Sequence, residues 1–175
     1  WIDRPAGKAL QFDGDGDYVD LGNDSRFNLT SQITVAAWIK VDAFDCQYDA
    51  LLTKGDGSWR LQRNGAKGSI EFACTGAFVP GAVFGSLFGS VSINDGRWHH
   101  IAGTYDGSMI CLYVDGEHDI ASDADGSIKV NDYNLLIGAN AEKPDRNFKG
   151  SIDDVRIYSY ALSAEEVKAI SAEQK

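Results

Sequence analysis

The sequence predicts an all-β antiparallel β-sandwich with one short C-terminal helix. Three observations carry that expectation. Segments of β-branched and aromatic residues recur along the chain, most of them alternating with polar ones. Nineteen glycines against three prolines punctuate them into short pieces. Asp-Gly pairs at Asp106-Gly107 and Asp115-Gly116 stand between apolar runs, as hairpin turns require. Many short strands separated by turn signals suit a sandwich or a barrel.

Taken in chain order, strands are expected over Ala9–Phe12 and Tyr18–Leu21, then over Ile33–Val41. In the last of these Ile33, Val35, Ala37 and Ile39 share one face. Further strands are expected over Asp49–Lys54, Trp59–Arg63, Ser69–Thr75 and Ser90–Ile93. Trp98–Tyr105 turns back through Asp106-Gly107 into Met109–Val114, and Leu135–Gly138 and Lys149–Tyr158 complete the set. The one credible helix runs over Ala164–Ala172. Ser163 is its N-cap, Glu166 lies three residues on as a capping box needs, and Val167 and Ile170 form its packing face. Without linker, repeat or low-complexity tract, residues 1–175 read as one domain, long enough to bury a core.

Charge narrows the partners. Sixteen Lys and Arg against 26 Asp and Glu give a formal charge of −10, which disfavours nucleic acid and anionic membranes. No apolar run approaches the roughly 20 residues that span a bilayer, so no membrane insertion is expected. A first residue of Trp1 rather than Met suggests a processed or excised fragment, and the expected parent is a larger secreted or surface protein. Cys46, Cys74 and Cys111 leave at least one thiol unpaired and match no zinc spacing. Cys111 reads as a small core residue; Cys46 and Cys74 could pair or stay free, which spacing does not decide.

Both ends of the chain carry acidic strand termini, Asp13-Gly14-Asp15-Gly16-Asp17 early and Asp153-Asp154 late. Two such clusters suggest that the terminal strands pair, and neighbouring carboxylates repel unless a cation lies between them. The competing reading is ordinary turn chemistry, since Asp-Gly pairs favour turns. An EF-hand is excluded: position twelve counted from Asp13 is Asp24, and no helices flank the loop.

The order of segments resembles the laminin-G-like jelly roll of the concanavalin A-like lectin/glucanase superfamily. The resemblance rests on Ala9-Leu10-Gln11-Phe12-Asp13-Gly14 with Asp17-Tyr18-Val19, then Ile33 through Lys40, then Gly96-Arg97-Trp98-His99-His100 through Gly107. Leu112-Tyr113-Val114-Asp115-Gly116 follows, and Gly150 through Tyr158 with Ala161-Leu162-Ser163 closes it. It implies two curved sheets packed face to face with the first and last strands adjacent. It also implies a structural calcium between early and late strands, with Asp13, Gly16 and Asp153 as ligands and Asp15 and Asp154 as weaker ones. An extracellular location accompanies that picture.

Catalysis is not expected. Retaining glycoside hydrolysis needs two carboxyls about 5–5.5 Å apart, which on one strand reads as a Glu-x-Asp-x-x-Glu array. None of the six glutamates sits in one, and Glu165-Glu166 belongs to the helix start. His99 and His100 are adjacent on a strand, so they point to opposite faces and cannot jointly grip an ion.

Binding remains. In Ser58 to Asn64, Arg60 and Gln62 alternate with Trp59, Leu61 and Arg63. A ring beneath a sugar's C–H face and planar polar groups on its hydroxyls would hold a polysaccharide or glycan. Trp59, Arg60, Gln62 and Tyr48, with Phe84, are the candidate ligand-binding residues, and Asp49 could join them. The bland alternative makes Trp59 a core residue. The glycine-punctuated apolar segment from Phe78 to Phe88 offers a second possibility, contact with another protein.

Overall fold

The computed structural model describes residues 1–4, 7–65 and 67–173. In chain order the strands are β1 (Ile2–Arg4), β2 (Gly7–Asp13), β3 (Val19–Asp20), β4 (Ile33–Ala43), β5 (Ala50–Thr53), β6 (Trp59–Arg63) and β7 (Ile70–Cys74). They continue with β8 (Ala77–Phe78), β9 (Ser86–Phe88), β10 (Trp98–Tyr105), β11 (Met109–Val114), β12 (Glu117–Asp123), β13 (Asp125–Gly126), β14 (Leu136–Ile137) and β15 (Lys149–Tyr158). The helix α1 spans Ala164–Ala172. A seven-stranded sheet, ordered β1-β2-β15-β4-β10-β11-β12, faces a six-stranded one ordered β3-β14-β5-β6-β7-β9; β13 and β8 form a small ribbon beside them. Among the described residues each ladder between these strands is antiparallel, the expected sandwich.

The inner faces of both sheets supply the core. From β4 come Ile33, Val35, Ala37, Ile39 and Val41, from β6 Trp59 and Leu61, and from β7 Ile70, Phe72 and Cys74. Period-two alternation makes this possible, because each strand sends every second side chain inward. β4 is central and buried on its other face too. There Ala36, Ala102, Cys111 and Tyr113 meet Leu162, Val167 and Ile170, so α1 covers the outside of the larger sheet. The helix carries its expected capping box, Ser163 with Glu166. Gly103 in β10 marks a close approach between the sheets, since a Cβ there would lie 2.4 Å from the Phe72 ring.

Terminal strands pair as the sequence suggests. β15 lies between β2 and β4, with Asp13 opposite Lys149 and Leu10 opposite Ile152. Some expectations fail at the sheet edges. Ser90–Ile93 is not a strand: the Asp119 carboxylate accepts from the Ser90 N–H at 3.0 Å, so a side chain replaces a ladder partner. β9 occupies the three residues Ser86–Phe88 instead. The edge strand β12 is exposed along much of its length and shows no alternating signal. All three cysteines are free thiols, Cys74 being packed in the core.

Candidate functional site

The β6–β7 hairpin builds the site. Register places Gln62 directly opposite Glu71 and Arg60 opposite Ala73, so Arg60, Gln62 and Glu71 share the outer face of the smaller sheet. β9 extends that face, with Ser86 opposite Ala73 and Phe88 opposite Glu71. A cavity of about 170 Å³ lies over these residues, lined also by Tyr48, Asp56, Val83, Phe84 and Arg146.

Its floor is a connected polar network. Arg60 Nη2 donates to Glu71 Oε1 at 3.1 Å, Gln62 Nε2 donates to Glu71 Oε2 at 2.9 Å, and Ser86 Oγ donates to Glu71 Oε1 at 2.7 Å. Arg146, which arrives from the segment before β15, donates to both Asp56 oxygens at 2.9 and 3.0 Å and to Gln62 Oε1 at 3.3 Å. Its guanidinium lies 4.7 Å from the centre of the Tyr48 ring, a cation–π arrangement. Two guanidinium groups thus balance two carboxylates, and the floor presents planar polar groups with little net charge. The Arg60 Nε is buried without a hydrogen-bond partner, 3.9 Å from Asp56 Oδ1.

The rim is apolar. Phe84 is 67% exposed at φ 57°, the left-handed region that a bulky residue rarely occupies. Gly85 follows it at φ 63°, where a Cβ would meet the Cys74 carbonyl at 2.1 Å. Ala77, Val79 and Leu87 of the same segment are buried, whereas Phe78, Val83, Phe84 and Phe88 face outward. The segment therefore both packs the sandwich end and raises aromatic groups beside the polar floor.

Four of the five expected ligand residues, Tyr48, Arg60, Gln62 and Phe84, are brought together. Trp59 is the correction. Alternation turns it inward, where it is fully buried and its indole donates to the Phe27 carbonyl at 3.0 Å. Asp49 is likewise withdrawn, buried beside Arg63 at 3.7 Å, and burial pushes its carboxyl up to about 6. Glu71, Asp56, Ser86 and Arg146 were not anticipated. A hairpin pairing of the two expected strands would have found Glu71, a lone acid among apolar neighbours. Nothing local announces Arg146, whose partner Asp56 lies 90 residues away.

The expected calcium ligands Asp13 and Asp153 are not brought together. With Asp13 opposite Lys149, Asp153 stands four residues further along β15, roughly 13 Å away at strand spacing. Asp13 Oδ1 accepts from the Asp15 N–H at 2.8 Å, and Asp17 accepts from the Asp13 N–H at 3.2 Å, which is turn chemistry. Asp154 sits at a bulge with φ 47° and holds Arg156 at 2.9 Å. Gly16 lines a different surface, described below. Among the described residues no group of three or more His, Cys, Asp or Glu side chains gathers as a metal site.

The neighbouring histidines divide as alternation requires. His99 bridges Asp115 at 2.9 Å and Asp95 at 3.1 Å. Buried His100 packs edge-on against Trp38 at 5.5 Å.

Two antiparallel sheets packed face to face form a jelly roll, an architecture that lectin domains share with many unrelated proteins. Residues 13–168 match the laminin-G family described as the concanavalin A-like lectin/glucanases superfamily, and the chain belongs to that family. It is 27% identical over 196 residues to the rat protein "Sushi, von Willebrand factor type A, EGF and pentraxin domain-containing protein 1", covering 97% of this chain and 5% of the relative. The chain therefore spans about one-twentieth of the length of the curated relatives it matches. Among solved structures, the binding domain of Paraclostridial Mosquitocidal Protein 1 aligns with TM-score 0.77 at 18% identity, over 97% of this chain and 44% of that one. Domain 4 of AbnA, an extracellular arabinanase of Geobacillus stearothermophilus in complex with arabinotriose, aligns with TM-score 0.73 at 21% identity, over 97% and 79%. At these identities the two structures establish a common fold.

Proposed function

We propose that the chain is a non-catalytic carbohydrate-binding module of a secreted or surface protein. Its ligand is a polysaccharide or glycan, seated in the cavity between the Phe84–Phe88 rim and the Arg60–Gln62–Glu71–Arg146 floor. One observation carries the reading: exposed aromatic rings stand beside a pre-ordered floor of planar hydrogen-bonding groups, the two chemistries a sugar ring presents on its face and its edge. The arabinotriose complex of a protein with the same fold supports it.

The same geometry speaks against hydrolysis. Glu71 accepts from Arg60, Gln62 and Ser86, and Asp56 accepts from Arg146 and Asn140. Both acids are occupied in structural pairing rather than poised as an acid and a nucleophile.

Affinity electrophoresis in gels carrying soluble arabinan, xylan or β-glucan tests the reading. At least one polysaccharide should retard the chain, with Phe84→Ala and Arg146→Ala restoring free mobility. Unretarded migration in every gel would refute it, and release of reducing ends would refute its non-catalytic part. A second reading, adhesion to another protein, is favoured by the outward Phe78, Val83, Phe84 and Phe88. It predicts that Phe78→Ala, a change outside the sugar cavity, abolishes adhesion to that protein.

A further inference from the structure

A second cavity, of about 460 Å³, opens where β3 pairs β14, and the proposed sugar site leaves it unexplained. Tyr18, Asp20, Tyr133, Asn134, Asn140 and Asn147 are among its walls. Tyr18 is 56% exposed and Tyr133 42% exposed, so two rings stand open to solvent beside three amide side chains, with Leu136, Ala139, Ala141 and Pro144 supplying further apolar wall.

These walls are held in place. Asn134 Nδ2 donates to both Asp20 oxygens at 3.0 and 2.9 Å, while Asp20 Oδ1 also accepts from the Gly22 N–H at 2.8 Å. Tyr133 N–H donates to Asn131 Oδ1 at 3.1 Å. Beneath the loop Lys54 is fully buried, and its ammonium donates to Asn23 Oδ1 at 2.9 Å, to the Asn131 carbonyl and amide oxygens, and to the Tyr133 carbonyl. Burying an ammonium is costly unless all its donors are used. Here they fasten the Tyr133 loop, which lowers the ordering cost of any ligand that uses it.

Charge selects the ligand. The charged residues lining this cavity are Asp20 and Asp132, and no Lys, Arg or His joins them. Anionic ligands would be repelled, whereas amides, carboxylates and rings suit neutral hydroxyl-rich ones. The cavity also adjoins the first site through one segment. Asn140 donates to Asp56 Oδ1 at 2.8 Å, so residues 140–147 wall the second cavity with Asn140 and Asn147 and the first with Arg146.

We infer that the Tyr18–Tyr133 cavity is a second saccharide subsite, selective for neutral sugars. This rests on the carbohydrate-binding reading above. Titrating ¹⁵N-labelled protein with maltohexaose, cellohexaose, xylohexaose, arabinohexaose and hexagalacturonate tests it by amide shifts. At least one neutral hexasaccharide should move the Tyr18, Asp20, Tyr133 and Asn134 amides, and should still do so in Phe84→Ala. Tyr133→Ala should weaken that response at least about tenfold, leave any response at Ser86 and Phe88 intact, and be mended by Tyr133→Phe. If Tyr133→Ala fails to fold, Tyr18→Ala takes its place. Shifts confined to Ser86, Phe88 and Arg146 would overturn this subsite while sustaining the first site. No shift at either cavity would overturn both, and an equal response to hexagalacturonate would overturn the neutral selectivity.

Discussion

Arg60 and Glu71 form a buried ion pair in the floor of the candidate site. Both side chains are at least 95% buried and 3.1 Å apart. Removing one partner leaves an uncompensated buried charge, so Arg60→Ala should cost about 3–5 kcal/mol. Urea unfolding measures this, and a loss under 1 kcal/mol would contradict the described burial. The two adjacent histidines titrate in opposite directions. Burial pushes His100 down to about 4, so the unfolded chain takes up that proton first. The stability His100 contributes is complete above its ordinary value of 6.5 and is lost as pH falls from 6.5 towards 4. For His99, burial opposes the charge, but the Asp115 and Asp95 carboxylates outweigh it and raise the imidazole. Its contribution is complete below its ordinary value of 6.5 and is lost as pH rises through the raised one. An NMR titration should place the two imidazoles on opposite sides of 6.5; a common midpoint would contradict the reading.

At the scale of elements, alternation explains what was legible. Ile33, Val35, Ala37 and Ile39 point inward as the pattern demands, and Ser163 with Glu166 starts the helix. The same rule removes Trp59 from the site and leaves Arg60 and Gln62 in it, because adjacent strand residues face opposite ways. What stayed hidden depends on long-range register. β12 is an edge strand without an inner stripe, and Arg146 meets Asp56 only after the whole sandwich closes. The terminal pairing was legible, yet its register was not, and that register separates Asp13 from Asp153. Their substitutions by Ala should add within about 0.5 kcal/mol. A larger coupling that disappears with chelator would restore a shared calcium. Gly103→Ala should be destabilising by more than the ordinary 1 kcal/mol or so of a single substitution, because its Cβ would overlap Phe72. A melting temperature equal to wild type would contradict that close approach.

At the scale of the molecule, family membership fixes the sandwich, while binding depends on what its outer surfaces carry. A charge of −10 surrounds a first cavity in which two guanidinium groups balance two carboxylates. Among the described residues, no helix is long and apolar enough to cross a membrane. The most direct measurement is a crystal structure of the chain soaked with the polysaccharide fragment that retards it best. A sugar ring should lie against Phe84 and Phe88 with hydroxyls on Arg146 and Gln62. A ring bound only elsewhere, with this cavity holding solvent alone, would contradict it.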